Sequence, residues 1–433
     1  MKMNCHKTVT TRLMLCVLFI SGCKSYVQKP LNWNEISSQW HDTTTVCEIN
    51  HLNDAVQIAL ALNPEINKLR TVRLTSQRYA AEAGWWDDPS LGFEALRILD
   101  GGAHPLITGL GLNFTLPLTG VPELRKRVAE FYSDADIWMV ATAERELMMR
   151  VVKSWAKLDY SVQRIKLLEE FQADFQGRVN LINALIKSGE LPRSEGEHLL
   201  LIKARYSEML EKQRGELHIL KSEFLQTLGL HPLSKLNLVA DVREIEAWQQ
   251  VDLKFMENDL LENPAVREQL ARFNASEQEL RLEIRRQYPE LELGPRYANE
   301  EGLDRFGFDA GLSLPLWNRN RQKIARAEGE RALQYEAVIA LWKKLVADYY
   351  RMRVDLANSE RKMELISTER YPLTKKRALR TEFLFSQGEC DLTELWNAQE
   401  ELLEVGRELI DVRERHTLSL IEIHFLTKGE GEL

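Results

Sequence analysis

The chain is written twice. Asn63-Pro64 returns as Asn263-Pro264, and Ser188-Gly189-Glu190 returns as Gln387-Gly388-Glu389. Asp88-Pro89 and Tyr288-Pro289 each open a strand-like stretch, while Leu116-Pro117-Leu118 and Leu314-Pro315-Leu316 each close a strand-like pair. The landmarks keep one order at offsets of 198 to 200 residues. A period of that length describes two copies of a domain-sized module and excludes a short-repeat solenoid. Whatever this chain folds into must therefore use the same module twice.

Each copy reads in the same order. Residues 51–86 predict two helical stretches, with Leu52, Val56, Ala59 and Leu60 on one face of the first and Ile66, Leu69 and Val72 on one face of the second. Asn63-Pro64 separates them as a cap followed by a first-turn proline. Strands are expected at about 89–98 and 106–118, and again at about 289–298 and 305–316. Leu110, Leu112, Phe114, Leu116 and Leu118 alternate with Gly109, Gly111, Asn113, Thr115 and Pro117. Phe306, Phe308, Ala310, Leu312, Leu314 and Leu316 alternate with Arg305, Gly307, Asp309, Gly311 and Ser313. Strict period two over that length is a strand signal.

The pattern then turns helical. From Pro122 to Lys187 apolar residues step by three and four through Met148, Val151, Trp155, Leu158, Val162, Ile165, Leu168, Phe171, Phe175, Val179, Ile182 and Ile186, a coiled-coil seam. Such a helix is about 100 Å long. The second copy repeats it from about Asn320 to Phe385, with Pro372 expected to bend it. Return helices are expected from Pro192 to Leu228 and from Asp391 to Leu426. A helical stretch from about Leu253 to Gln287 leads into the second strand pair. The modules are thus residues 51–230 and 253–433, joined by a linker at 231–252.

The N-terminus reads as an export signal over residues 1–22. Lys2, Lys7 and Arg12 precede a short apolar run, Leu13 to Ile20, too short to span a bilayer. Ile20-Ser21-Gly22-Cys23 resembles a bacterial lipobox, which makes Cys23 the expected lipid anchor of a lead-in at 23–50. Lys24 is not Asp, which by the same resemblance favours sorting to the outer membrane. Removal of the signal takes the formal charge from -8 to -11. A net acidic chain without a basic stripe is a poor nucleic-acid binder.

The strands, roughly 9–12 residues each, have the length that a tilted strand needs to cross a bilayer. Trp85, Trp86, Tyr288 and Trp317 sit at their helix-side ends, where an interfacial aromatic girdle belongs. A soluble hairpin packed on helices produces the same alternation, so the pattern by itself leaves both readings open. Four strands cannot cross lipid alone, because two open edges leave backbone groups unpaired. Nor can they close a barrel of useful diameter. If they lie in lipid, several chains share one barrel and the helices extend it.

At this point the chain resembles the TolC-type outer-membrane efflux channel family. The resemblance covers nearly the whole mature chain and rests on the duplicated Asn-Pro helix starts, the Leu-Pro-Leu strand ends, the Gly-Glu turns and the lipobox. Pro315-Leu316-Trp317-Asn318-Arg319-Asn320-Arg321 is similar to the branch serving metal-ion and related efflux. The resemblance implies a mainly α protein with a small β part: a homotrimer with a shared twelve-stranded β-barrel and an α-helical coiled-coil tunnel in the periplasm. It implies a passive duct of a tripartite efflux pump, docked to a periplasmic adaptor and an inner-membrane pump of the RND type. It also places adaptor docking at the tip turns Gly189, Glu190, Gly388 and Glu389. Glu195 and Glu394, six positions after each turn glycine, look like the family's acidic constriction. Asn397 stands where the family often has a further acid, which lowers the charge of the inner ring. As helix-start carboxylates, Glu195 and Glu394 equally suit the macrodipole.

Other classes are weaker. No HExxH, GxxxxGK[ST] or GxSxG pattern occurs, so no enzyme or cofactor is expected. His198, His416 and His424 are isolated on helical patterns, and no CxxC metal site exists. A periplasmic adaptor lipoprotein would share the anchor and a helical hairpin but has no need of two membrane-length strand pairs. A coiled-coil scaffold without a pore is the third alternative.

Overall fold

The computed structural model describes residues 26–41, 47–97, 106–238, 240–246, 257–300 and 302–427. The signal segment, Cys23 and the Gly-rich hairpin loop near 100 lie outside them. The chain divides into two compact units, residues 1–45 and 46–433. In the first, helix α1 (Trp33–His41) starts at Asn32, whose Oδ1 accepts from the N–H groups of Asn34 (3.2 Å) and Glu35 (3.4 Å).

In the second unit both copies follow one plan. The first holds α2 (Leu52–Leu62), α3 (Pro64–Glu82), β2 (Ser90–Arg97), β3 (Leu106–Leu116), α4 (Val121–Ser188) and α5 (Arg193–Leu228). The second holds a 3-10 turn (Glu257–Glu262), α7 (Pro264–Arg285), β5 (Leu291–Glu300), β6 (Leu303–Leu312), α8 (Arg321–Leu365), a π turn (Ile366–Arg370), α9 (Tyr371–Ser386) and α10 (Leu392–Thr427). A short parallel pair, β1 (Cys47–Ile49) with β4 (Leu236–Leu238), and helix α6 (Arg243–Glu246) stand beside them. Of the helix expected from about Leu253, residues 253–256 lie outside the described residues; the rest is corrected, with a 3-10 turn at Glu257–Glu262 and α7 starting at Pro264, where Asn263 caps it.

The Asn-Pro signature has a double purpose. Asn63 Oδ1 accepts from the N–H groups of Glu65 and Ile66, and Asn263 Oδ1 accepts from that of Ala265. Both cap otherwise orphaned donors. Each side-chain amide also donates to the end of its own copy's return helix: Asn63 Nδ2 to Thr227 O (3.0 Å), Asn263 Nδ2 to Leu426 O (3.5 Å). Both asparagines are buried. The dipeptide therefore closes each module as well as starting a helix.

The four long strands form one antiparallel sheet in the order β2-β3-β5-β6. Pairing sets Leu91 opposite Leu112, Phe93 opposite Leu110, Leu110 opposite Tyr297, Leu291 opposite Leu312 and Tyr297 opposite Phe306. Directly opposed residues share a face, so one face is a field of Leu, Phe and Tyr. The other carries Glu94, Glu292, Arg296, Arg305 and Asp309 among glycines. There Arg296 pairs with Glu94 across β3 and with Asp309 at 3.3 Å. Gly109 and Gly111, opposite Glu94 and Arg296, leave β3 bare beneath that bridge.

The strand ends differ from expectation. β6 stops at Leu312, and Leu314-Pro315-Leu316 lies beyond it. Leu316 N–H donates to Leu314 O (2.9 Å), as Leu118 N–H does to Leu116 O (2.8 Å). Both Leu-Pro-Leu signatures are thus three-residue turns that leave the sheet, and Pro supplies no N–H for a ladder. β5 is shifted two residues later than expected, to Leu291–Glu300, and β6 begins at Leu303.

Helix α4 is unbroken over 68 residues, about 100 Å. Its seam is buried at Val151, Trp155, Leu158, Leu168, Phe171, Phe175 and Ile182, whereas Val162 is exposed. The second copy's helix breaks where Pro372 forbids regularity. Pro372 has no N–H and its ring collides with the carbonyl four residues back; the turn Ile366–Arg370 widens to π geometry instead. Glu408 of α10 clasps this turn from both sides, accepting from Lys362 at 2.8 Å and from Arg370 at 2.5 Å. The Lys362 hydrogen bond, opposed by burial and aided by both cations, holds the Glu408 carboxyl below the usual glutamate range. A depressed folded pKa contributes stability above the unfolded value, about 4.3, and loses it as pH falls through the folded one. Glu408→Gln should therefore lower the melting temperature at neutral pH, with the gap to wild type closing in acid. A gap constant with pH would exclude the clasp.

Candidate functional site

Both helical hairpins end in the same motif. At the α4–α5 turn Gly189 takes φ 85°, its N–H donates to Ile186 O, and Glu190 N–H donates to Leu185 O at 2.9 Å. At the α9–α10 turn Gly388 takes φ 75°, its N–H donates to Phe385 O, and Glu389 N–H donates to Leu384 O at 2.9 Å. This is the left-handed glycine stop of a helix. Gly189, Glu190, Gly388 and Glu389 are all exposed, with open space around each glycine.

One hydrophobic cluster joins the two tips: Phe175, Ile182, Leu199 and Tyr206 from the first hairpin, Phe385, Leu392, Leu395 and Trp396 from the second. Phe171 and Phe175 stand edge-on to Tyr206 at 4.8 and 5.6 Å, and Phe175 lies 4.9 Å from Trp396. Burial, with Glu400 nearby, pushes the Tyr206 phenol up to about 12, so it stays protonated. Arg178 forks onto Glu382 at 3.0 and 3.1 Å and locks α4 to α9. The two tips are packed together as one end piece.

On this end Glu195 is half-buried in the first turn of α5, and Glu394 is exposed in the first turn of α10 with Asn397 one turn further on. Asp391 Oδ1 accepts from Glu394 N–H at 2.7 Å and caps α10. Burial, with Glu394 and Asp391 beside it, pushes the Cys390 thiol up, and its sulfur donates to Thr381 O. Cys390 is a packed structural thiol; the side chain of Cys47 lies outside the description.

The structure brings out a further pattern on α10. Glu394 begins a seven-residue recurrence of carboxylates on α10, continued by Glu401 and Glu408. Glu401 pairs with Arg377 at 2.7 Å and Glu408 with Lys362 and Arg370. Asp411, one step nearer the sheet, pairs with Arg164 at 2.7 Å. Glu394 and Glu195 make no ion pair among the described residues. The period was readable, but the basic partners sit on other helices. The stripe is thus neutralised along the shaft, and its charge is left uncompensated only at the tip.

At the opposite end, Trp85, Trp86, Tyr288 and Trp317 occupy the segments between helices and strands and are 56–87% exposed. Arg285 lies over the Tyr288 ring at 5.9 Å. Among the described residues no helix is long and apolar enough to cross a membrane, and no cluster of His, Cys, Asp and Glu suits a metal ion.

No protein-family model matches the sequence, and no curated protein matches it. Solved structures do match. CusC, studied for its transmembrane channel formation, superposes with a TM-score of 0.77 at 14% identity over 93% of this chain and 95% of its own. VceC, an outer-membrane protein of Vibrio cholerae, gives 0.73 at 14% over 87% and 96%. The Campylobacter jejuni CmeC outer membrane channel gives 0.68 at 12% over 94% and 90%. The chain shares the fold of these outer-membrane proteins, mainly helical with a small antiparallel sheet among the described residues.

Proposed function

We propose that this chain is the outer-membrane component of a tripartite efflux pump, a passive exit duct for ions or small molecules. One observation carries the reading: a four-stranded sheet with a solvent-facing field of Leu, Phe and Tyr and with β2 and β6 as open edges. Phe93, Phe306 and Phe308 are each more than 70% exposed. An open apolar sheet of this kind is untenable as a water-facing surface. Acyl chains on the apolar face and sister sheets on both edges remove both liabilities. Three copies give the twelve strands that the family resemblance implies, with the charged, glycine-rich face lining the lumen.

In that assembly Cys23 carries the lipid anchor, and the long helices run from the barrel into the periplasm. The exposed tip turns at Gly189, Glu190, Gly388 and Glu389 meet the adaptor, beyond which stands an RND-type pump. Trp85, Trp86, Tyr288 and Trp317 lie at the membrane interface. The chain does no chemistry of its own; cargo, a metal ion or another small molecule, is chosen by its partners. The test is direct. Purified in detergent, the mature chain should run as a heat-labile trimer and conduct in planar bilayers. A monomer that stays in plain buffer without its lipid would overturn the reading, and an assembled chain without conductance would favour the adaptor or scaffold alternatives.

The tip supplies a second test. Threefold symmetry turns Glu394, which makes no ion pair among the described residues, into three carboxylates, an arrangement that attracts cations and repels anions. Glu394→Gln should lower the cation-over-anion permeability ratio in single-channel recordings, and Glu401→Gln, whose partner is Arg377, should change it far less. Equal effects from the two would return Glu394 to a helix-start carboxylate.

A further inference from the structure

The duplication contains its own control for charge at the sheet-side end of the long helices. Gly120 and Asn320 are equivalent: both precede a long helix in left-handed backbone, at φ 71° and 54°. Around them the copies diverge. Thr119 stands opposite Arg319, Val121 opposite Arg321, Glu123 opposite Lys323 and Lys126 opposite Arg326. In the first copy Arg125 pairs with Asp87 at 3.1 Å and Lys126 with Glu130 at 4.0 Å. In the second, Arg319, Arg321, Lys323 and Arg326 are exposed and make no ion pair among the described residues.

This cationic patch is built rather than loose. Asn320 Nδ2 donates to Glu283 O at 2.8 Å and to Glu283 Oε2 at 2.6 Å, tying the start of α8 to the end of α7. Glu283 is buried and also pairs with Arg286, so it does not answer the patch. Arg285 adds a further exposed cation over Tyr288. The carboxylates in these segments, Glu290 and Glu328, leave a large positive excess. The position is also wrong for helix stability: α8 has no acid in its first turn, so its cations add to the positive end of the macrodipole. Such an arrangement is unfavourable unless an anion faces it. Trp317, the most exposed of the four rim aromatics at 87%, and Tyr288 lie in the same two segments.

We infer that this patch, centred on Arg319, Arg321 and Lys323 with Trp317 and Tyr288, binds the anionic headgroups of phospholipids in the leaflet that meets the helix end of the barrel. The inference rests on the channel reading, which puts the sheet in lipid and this rim at the headgroup level. Basic side chains there gain about fivefold in affinity each from an anionic surface, through an interaction that salt screens. Aromatic rings settle at the same depth. The first copy's rim serves no such role: Arg125 and Lys126 are paired, Glu123 stands in place of Lys323, and Arg127, exposed without an ion pair among the described residues, is one cation against the second copy's four. Each protomer then carries one lipid-holding rim segment and one whose charges are largely paired.

The test uses the full mature chain purified in detergent from the outer membrane. Retention of phosphatidylglycerol, phosphatidylcholine and inorganic phosphate is measured on it by native mass spectrometry and by titration with fluorescent lipid. Phosphatidylglycerol should be preferred, less so at high salt. Arg319→Gln/Arg321→Gln/Lys323→Gln should reduce that preference on the order of 100-fold. Arg319→Lys/Arg321→Lys should keep most of it, and Arg125→Gln/Lys126→Gln in the first copy should change it little. Equal retention of the two lipids by wild type, an unaffected triple variant, or competition by inorganic phosphate at comparable concentration would each overturn the inference. The same fractions separate it from its premise. A chain that sits in the outer membrane yet lacks the preference sinks the lipid site alone; one that never enters the membrane sinks the channel.

Discussion

Phe308→Arg should abolish assembly in the outer membrane, while Gly307→Arg, one residue away, should leave it intact. Phe308 lies midway along β6 on the apolar face, opposite Pro295 and 77% exposed in the protomer. A ten-residue strand rises about 33 Å along its axis, or about 25 Å when tilted by about 40°, so Phe308 falls near the middle of the hydrocarbon. An arginine there costs about 2–4 kcal/mol per strand. Threefold symmetry repeats it to about 6–12 kcal/mol, comparable with the whole stability of an ordinary domain. Gly307 points to the charged face, and nothing stands within 4 Å of a Cβ built on it. Its arginine would project into water. Leu312, the last residue of the strand, lies close to the rim, where the same change costs only about 0–1 kcal/mol per strand. Heat-modifiable trimer in outer-membrane fractions is the readout. Equal tolerance of Phe308→Arg and Gly307→Arg would mean that the sheet faces no lipid on either side.

Gly229→Ala should destabilise the helical body by about 2–5 kcal/mol, through two effects that act together. Gly229 ends α5 at φ 79°, a conformation that costs an L-residue about 1–2 kcal/mol. Its Cβ would also lie 2.6 Å from Leu62 O and 2.8 Å from Leu62 C. Both are backbone atoms with no rotamer to yield, and overpacking of this kind costs about 1–3 kcal/mol more. The close approach is the one that lets Asn63 reach Thr227 O. The expected result is a large drop in melting temperature of the detergent-purified protein, with loss of helical signal well below the wild-type transition. Gly177→Ala, inside α4 with open space around it, is the control and should be neutral or slightly stabilising. A melting temperature unchanged by Gly229→Ala would show that α5 does not dock on the α2–α3 junction.

Much of this was legible in one dimension because the strongest signals are local. Phe306, Phe308 and Leu312 declare one face by alternation alone. The α4 seam declares itself by steps of three and four. Pro372 announced a disturbance, since a missing N–H is a property of the residue. Its form as a π turn, and the ion pairs by which Glu408 of a helix some forty residues away flanks it, were decided by the structure. The tip residues Glu195 and Glu394 were found by their distance from a glycine. That Glu394 stands uncompensated while Glu401 and Glu408 are neutralised required the positions of Arg377, Lys362 and Arg370. The leucines of Leu314-Pro315-Leu316 continue the strand alternation; the turn closed by Leu316 N–H overrides a pattern that Pro315 cannot sustain. Within the expected helix, the described residues Glu257–Glu262 form a 3-10 turn, and the capping amide of Asn263 with its bond to Leu426 O sets the start of α7 at Pro264.

By itself, the order of residues determined the duplicated module, the faces of its strands and helices, and the two glycine stops. Each follows from backbone geometry that repeats every two or 3.6 residues and so needs no distant partner. Only the tertiary structure decided the sheet order β2-β3-β5-β6, the docking of each Asn-Pro on its own return helix, and which charges along α10 and at the rim of α8 go unanswered. Those depend on segments from about 24 to about 200 residues apart meeting in space, and neither alternation nor spacing carries that information.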